Sequence, residues 1–207
     1  MKRFILLAAL QIACSTGVNA SDRTTVYYET LSIDLSAGGA TVNAASMTGF
    51  GISSTSSLSE DVFISSSYTR LSGDIVGFPS SQSAWQLGVG YTIHDDLNLK
   101  AGTGSQLRTG FGYYSTSLDA RISGTDYSES DSGAIIGVNY DIALGEAVSL
   151  DATLSGPLEN FEVSFGIGGS YKVGAGKIRL AYTSNEDAIE GVTVKSSGYQ
   201  LGYTFNY

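Results

Sequence analysis

The last nine residues of the chain constrain its fold more than any other stretch. Five alternate positions are apolar or aromatic, and the four positions between them are polar or small. Such strict alternation predicts a β-strand with one apolar face and one polar face. A strand of this kind at the end of a chain is typical of a transmembrane barrel, which needs an apolar outer face and a polar inner face. The apolar positions are Tyr199, Leu201, Tyr203, Phe205 and Tyr207.

The N-terminus has the features of an export signal. Two basic residues precede an apolar run over residues 4–13, and a small-residue site ends at Ala20. We predict cleavage between Ala20 and Ser21, because an apolar run of about ten residues is too short to span roughly 30 Å of hydrocarbon as a helix. Lipidation at Cys14 is the alternative, but Gln11 stands where such signals carry an aliphatic residue. The expected domains are a signal peptide over residues 1–20 and one barrel domain over residues 21–207.

Composition narrows the class of the mature chain. Cleavage removes the one cysteine and leaves 9 basic and 20 acidic side chains, a net charge of −11. The mature chain therefore has no thiol chemistry, and its acidity argues against nucleic acid as a partner. No later stretch approaches eighteen consecutive apolar residues. A membrane-spanning form must accordingly be a closed barrel, because open strand edges leave backbone groups unpaired in lipid.

Alternation along the rest of the chain predicts an all-β, closed, antiparallel up-and-down barrel of ten strands, with eight as the alternative count. The clearest strands lie near residues 85–93, 136–142 and 148–154. On the first strand, Leu31 and its alternate neighbours are expected to face lipid. Short turns are expected at one rim, including one at residues 94–96 that leads directly into the fifth strand from Leu97. Long loops are expected at the other rim, at residues 74–83, 115–132 and 184–191.

The signal peptide, the turn and loop pattern and the aromatic last strand resemble the small outer-membrane β-barrel family of Gram-negative bacteria. This group includes the membrane domain of outer-membrane protein A and the short porin-family barrels. The resemblance implies an outer-membrane location, a monomer, and contacts with outer-membrane lipid and lipopolysaccharide. It also implies that the last strand, with Tyr203, Phe205 and Tyr207, is the signal read by the barrel-assembly machinery.

The same alternation assigns charged side chains to the barrel lumen. If the apolar positions face lipid, the lumen receives five basic and four acidic residues, whose opposite charges can pair. A barrel of about eight strands is filled by side chains, and open channels appear at about sixteen. A salt-bridged, largely plugged lumen is therefore favoured over a narrow small-solute pore, which stays the alternative function. The predicted lumen residues are Asp34, Lys100, Arg108, Asp141, Asp151, Glu162, Lys172, Lys177 and Arg179.

No catalytic or cofactor site is predicted. The single histidine, His94, lies in a predicted turn on the side of the termini, away from the outer rim where barrel enzymes place their catalytic histidine. The acidic loop over residues 115–132 is the best candidate for touching an external ligand, and a divalent cation held by Asp126, Glu129 and Asp131 is a weaker hypothesis. The predicted function is a non-enzymatic barrel with an envelope-structural or surface-interaction role. A secreted soluble β-sheet binding protein is the third hypothesis.

Overall fold

Ten antiparallel strands form a closed barrel. The computed structural model describes residues 23–98, 101–159, 163–189 and 192–206. Each strand pairs with its neighbours in sequence, and the first strand pairs with the last. The strands are β1 (Arg23–Ala37), β2 (Ala40–Ser57), β3 (Val62–Ile75), β4 (Phe78–Asp95), β5 (Ser105–Ile122), β6 (Thr125–Ala143), β7 (Val148–Pro157), β8 (Ser164–Val173), β9 (Gly176–Ile189) and β10 (Val192–Asn206).

Pairing between β1 and β10 closes the barrel over the full length of both strands. Arg23 lies opposite Asn206 at one end and Ser36 opposite Thr193 at the other. Closure leaves the sheet without open side edges along its paired length, which is the arrangement that a lipid environment requires. The predicted fold class and the count of ten strands are confirmed. We name the rim that carries Arg23 and Asn206 the terminus rim, and the opposite rim the hairpin rim.

The outer wall carries a band of exposed apolar side chains. On β4, five successive outward positions from Trp85 to Ile93 are apolar and 45–57% exposed. Aromatic rings of neighbouring strands meet along the band, as in the tilted Trp85–Tyr113 pair, whose ring centroids lie 5.7 Å apart. The described residues contain no helix that is long and apolar enough to cross a membrane.

The connections at the hairpin rim differ from the predicted long loops. Tight two-residue turns join β1 to β2, β3 to β4 and β5 to β6. Ser123 and Gly124 both have positive φ, at 50° and 84°, which matches the twist of a two-residue hairpin. Residues 74–83 and 115–132 are therefore strand hairpins, and β9 extends to Ile189 within the predicted loop 184–191. The sequence predicted loops in these segments because serine, threonine and acidic residues occupy both strand faces beyond the apolar band.

The terminus rim has the longest connection of the described chain. The expected tight turn at residues 94–96 is wrong, since β4 continues to Asp95 and β5 begins only at Ser105. An isolated bridge between Asn98 and Thr103 folds the connection over residues 96–104. Asp96 links the two ends of the connection, because its carboxylate accepts hydrogen bonds from the amide and the hydroxyl of Ser105. Leu97, where the fifth strand was predicted to begin, thus belongs to this connection, and β5 begins eight residues later, at Ser105.

Candidate functional site in the barrel lumen

Two ion pairs occupy the half of the lumen near the terminus rim. Arg108 Nη2 lies 2.7 Å from Asp141 Oδ2, and Arg179 Nη2 lies 2.6 Å from Asp151 Oδ2. A second bond from Arg179 Nε to Asp151 Oδ1, at 3.2 Å, makes that pair bidentate. All four side chains are buried. Buried charges need such partners, because an unpaired charge inside a protein is strongly destabilising.

The two carboxylates stand side by side. Asp141 on β6 and Asp151 on β7 are directly opposite each other in the strand register. Like charges in that position are unfavourable, so each aspartate depends on its own arginine. Asn139 extends the network: its carbonyl oxygen accepts a bond from Arg108 at 2.7 Å, and its amide donates to Thr153 at 2.9 Å. The result is a continuous polar layer across the wall from β5 to β9.

A glycine on the intervening strand β8 leaves room for the bidentate pair. A Cβ atom at Gly168 on β8 would lie 2.6 Å from Asp151 Oδ1 and 2.7 Å from Arg179 Nη2. Glycine at this position therefore leaves the space that the bidentate pair fills. Beside Arg108, a cavity of about 70 Å³ is lined in part by Phe63 and Thr153. That volume accommodates a few water molecules.

Further cations lie close to this network. Arg23 is buried and within electrostatic reach of both arginines and both aspartates of the two ion pairs. Lys177 faces the lumen in a half-buried position, and Lys172 is exposed at the terminus rim. Sequence reasoning missed Arg23, because the alternation of the first strand begins only at Tyr27. Among the described residues, the lumen near the terminus rim is accordingly more basic than the five basic and four acidic residues predicted from the sequence.

The half of the lumen near the hairpin rim is apolar on the side formed by β1, β2, β3 and β10, whereas Gln82 on β4, Thr116 on β5 and Asn185 on β9 are buried polar residues of the same half. Six buried side chains form one cluster there, with Leu71 and Val194 fully buried. Leu31 and Ile33 belong to this cluster, so the predicted lipid-facing orientation of these β1 residues is wrong. The remaining members are Ala45 and Met47.

Asp34 needs the corresponding correction. It lies on the outer face of β1, where its carboxylate accepts a bond of 2.9 Å from the Asn43 amide. It is therefore absent from the lumen network. Glu29, the one charged residue among the alternate positions from Tyr27 to Leu35 of β1, faces inward and is completely buried opposite Gln200 of β10. The signal that could have identified this orientation is Val26 and Tyr28, which are the exposed apolar residues of β1.

The remaining predicted site residues lie either outside the described residues or on the last strand. Lys100, Glu162, Tyr207, Ala20 and Ser21 lie outside the described residues. On the last strand, three alternate positions face outward and are 50–59% exposed, and these are Tyr199, Leu201 and Phe205. The ring of Tyr203 packs edge-on against Phe205 with centroids 4.8 Å apart, and its hydroxyl donates to the Val173 carbonyl.

Two further hypotheses concern the rims. His94 lies on the terminus-rim end of β4, where its Nε2 is 3.3 Å from Asp96 Oδ1 and both side chains are exposed. At the hairpin rim, Asp131 accepts a 3.1 Å bond from the Tyr114 hydroxyl, and Asp126 lies 3.6 Å from Arg121. Across the described ranges, no group of three or more metal-ligating side chains comes together.

Comparisons with known proteins bear on the fold. No protein-family model matches the sequence, and no curated protein matches it. Among solved structures, the outer membrane protease OmpT of Escherichia coli aligns with a TM-score of 0.55 at 11% identity, covering 93% of this chain and 99% of OmpT. OprG of Pseudomonas aeruginosa aligns at 0.46 and 14% identity over 92% of this chain and 98% of OprG. Neisserial surface protein A aligns at 0.42 and 13% identity over 89% of this chain and 97% of its own.

These solved structures are outer-membrane barrels, and at such identities the likeness concerns the fold alone. The resemblance to small outer-membrane β-barrels is confirmed at that level.

Proposed function

We propose that this chain is a non-enzymatic barrel of the bacterial outer membrane whose lumen is closed and whose function lies in envelope structure and surface interaction. The observation that carries the proposal is the two-part filling of the lumen. Ion pairs such as Arg179–Asp151 occupy the half near the terminus rim, and buried side chains, among them the apolar cluster around Leu71, occupy the other half.

The order of the two layers makes solute passage unfavourable. An ion that entered from the terminus rim would first meet arginines already paired with aspartates. It would then have to shed water to pass Leu31, Met47 and Leu71, which are at most 2% exposed. Stripping water from an ion without replacing its ligands costs far more than thermal energy supplies. A closed lumen leaves the outer wall and the rims as the surfaces that can act.

The outer wall supports a membrane location. The exposed apolar band with its aromatic pairs suits a lipid environment, in which aromatic side chains favour the interfaces. In the proposed orientation the terminus rim faces the periplasm and the hairpin rim faces outside. Outer-membrane lipid and lipopolysaccharide then surround the band, the outward side chains of β10 contact the barrel-assembly machinery, and the barrel is a monomer. The hairpin over residues 115–132 is the proposed contact for an external ligand.

The chemistry of the rims supports a non-enzymatic role. His94 is the one histidine of the sequence, and in the proposed orientation it faces the periplasm. Its neighbour is Asp96, and both groups are largely open to solvent, whereas general bases work within a shaped site that positions them against a substrate. No cofactor is proposed.

Site-directed labelling tests the location and the orientation together. Removal of the signal peptide leaves a mature chain without cysteine, so single cysteines can report each rim. Asp119→Cys places a thiol on the β5–β6 hairpin, and Glu60→Cys places one in the β2–β3 turn; both positions are exposed. We expect a membrane-impermeant maleimide to label Asp119→Cys on intact cells, and Glu60→Cys only after the outer membrane is permeabilised.

Fractionation provides the control. Both variants should remain in the outer-membrane fraction and migrate faster before boiling than after boiling, as a closed barrel does. Recovery of the mature protein in the soluble periplasmic fraction would contradict the proposal. Labelling of Glu60→Cys alone on intact cells would reverse the orientation and remove the hairpin rim as the interaction surface.

A further inference from the structure

Strand β6 extends far beyond its neighbour β7. The last β6–β7 pair is Ile135 with Pro157, and residues Thr125–Ala134 pair only with β5. On the far side of the same gap, the β8–β9 pairing ends at Ser184, and β9 continues to Ile189. The hairpin rim therefore has a notch above the two ten-residue strands β7 and β8. One side of this notch is a long strand edge that no described strand pairs.

The connection between β7 and β8 is too short to cover this edge. Residues 158–163 can span at most about 20 Å when fully extended, and they must also return to Ser164 on the adjacent strand. They can follow β6 for about three residues, and the bond from the Leu158 amide to the Ala134 carbonyl uses the first of these positions. The edge over Thr125–Ser130 is out of their reach. An exposed edge of this length offers backbone amides and carbonyls to an added strand.

The charge around the edge selects the partner. The β5–β6 hairpin over residues 115–132 carries four acidic side chains and one basic one, a net charge of −3. Arg121 lies 3.6 Å from Asp126, but both side chains are mostly exposed, so the pair neutralises little. Glu186 on β9 is also exposed. The notch is thus acidic on both flanks, and complementary charge on a partner would speed encounter and set specificity.

We propose that the free edge of β6 over Thr125–Ser130 is a docking site for an extended, basic segment of a partner protein, which adds as a strand beside β6. The inference deepens the surface-interaction role proposed above and rests on it. Main-chain hydrogen bonds supply affinity in this mode of recognition, and alternate side chains supply specificity. A second copy of this chain is a poor occupant, because edge-to-edge pairing would set two hairpins of net charge −3 against each other.

Synthetic strands test the site on the full barrel in lipid nanodiscs. The probe is a nine-residue peptide that alternates lysine and threonine. A first control carries the same side chains and an N-methyl group on every backbone nitrogen, which preserves the charge and removes all backbone donors. A second control replaces each lysine by glutamate. Affinity is measured by fluorescence anisotropy, and amide hydrogen exchange is followed over Thr125–Ser130.

We expect the lysine–threonine peptide to bind and to slow exchange over Thr125–Ser130. The N-methylated peptide should bind at least about tenfold more weakly, because it cannot complete the strand hydrogen bonds, and it should protect no amide. The glutamate peptide should not bind. Equal binding by the N-methylated peptide would reduce the site to charge alone and overturn the proposal, as would binding without protection or no binding at all.

Variants of the barrel provide the matched comparison. Asp126→Asn combined with Glu129→Gln removes two charges at the edge and should weaken the lysine–threonine peptide about tenfold. Asp74→Asn combined with Glu60→Gln removes two exposed charges elsewhere and should leave binding unchanged. Equal loss in both double variants would also overturn the proposal. Since the assay uses purified barrel, its failure is independent of the location and orientation tested by labelling.

Discussion

Arg179 and Asp151 form a bidentate ion pair inside the barrel, and Gly168 on the intervening strand leaves the space for it. Arg179 reaches from β9 across β8 to the carboxylate on β7. The pair therefore ties together three strands near the terminus rim. A methyl group on the middle strand is enough to obstruct it.

Gly168→Ala should destabilise the barrel by about 2–4 kcal/mol, because the new Cβ would overlap Asp151 Oδ1 and push the ion pair apart. Urea unfolding in lipid vesicles measures the change. Gly169→Ala is the matched control, since its Cβ would meet only the end of the Leu150 side chain at 3.3 Å. The control should shift stability by less than about 1 kcal/mol, and equal stability of the two variants would show that the pair is not confined as described.

Arg108→Met should cost about 3–5 kcal/mol, because it leaves Asp141 buried, unpaired and directly opposite the charged Asp151. The double variant Arg108→Met with Asp141→Leu should recover most of that loss, since it removes both charges together. A double-mutant cycle of urea unfolding measures the coupling. Additive costs in the double variant would mean that the two groups do not depend on each other.

Leu71→Ala tests the apolar layer. Leu71 is fully buried in the cluster near the hairpin rim, so truncation should cost about 2–5 kcal/mol through lost contacts and a residual cavity. Leu58 lies in the β2–β3 turn and is 64% exposed. Leu58→Ala should therefore change the free energy of unfolding by less than about 0.5 kcal/mol. A small effect at Leu71 would indicate that the lumen is loosely filled at this level.

Asp96 should make the connection over residues 96–104 sensitive to acid. The hydrogen bond from the Ser105 amide lowers the pKa of the Asp96 carboxyl below its ordinary value. Its stabilising contribution is then complete above the ordinary aspartate pKa of about 3.9 and is lost as the pH falls through the lowered value. The protection of the Ser105 amide, measured against its intrinsic exchange rate at each pH, should fall in that acid range, and Asp96→Asn should remove this fall. An unchanged profile in the variant would assign the effect to another group.

The sequence predicted best those strands whose two faces meet different surroundings. On β4, apolar residues on the outer wall from Trp85 to Ile93 alternate with small or polar residues that face the lumen. That contrast produces a period of two, so strand type and orientation both follow. The same contrast identified β10, where Leu201 faces out and Gln200 faces in.

Prediction failed where that contrast disappears. Leu31 and Ile33 on β1 face inward and belong to the apolar cluster in the lumen, so hydrophobicity no longer distinguishes the inner face of the wall from the outer face. Beyond the apolar band, β5 and β6 carry polar residues on both faces, and their hairpin over residues 115–132 looked like a loop. Turn pairs such as Ser123–Gly124 were the available signal for a hairpin.

For the charged residues of the lumen, the sequence predicts the orientation of the side chains but not their ion-pair partners. Alternation alone points Arg108, Asp141, Asp151 and Arg179 inward on their strands, and the structure buries all four. Which arginine meets which aspartate depends on strand register and on the empty space at Gly168. Neither is encoded in the spacing of charges along one chain. Arg23 was missed because it lies before the first strand position that showed alternation.

Single-channel recording of the purified barrel in a planar lipid bilayer tests the central claim most directly. A lumen closed by the Arg179–Asp151 layer and the Leu71 cluster predicts no defined unitary conductance. The same preparation should show the heat-dependent gel mobility of a folded barrel. Stable unitary steps in the wild-type protein that change size or ion selectivity in Arg108→Gln would contradict it. They would establish the narrow small-solute pore as the function of this chain.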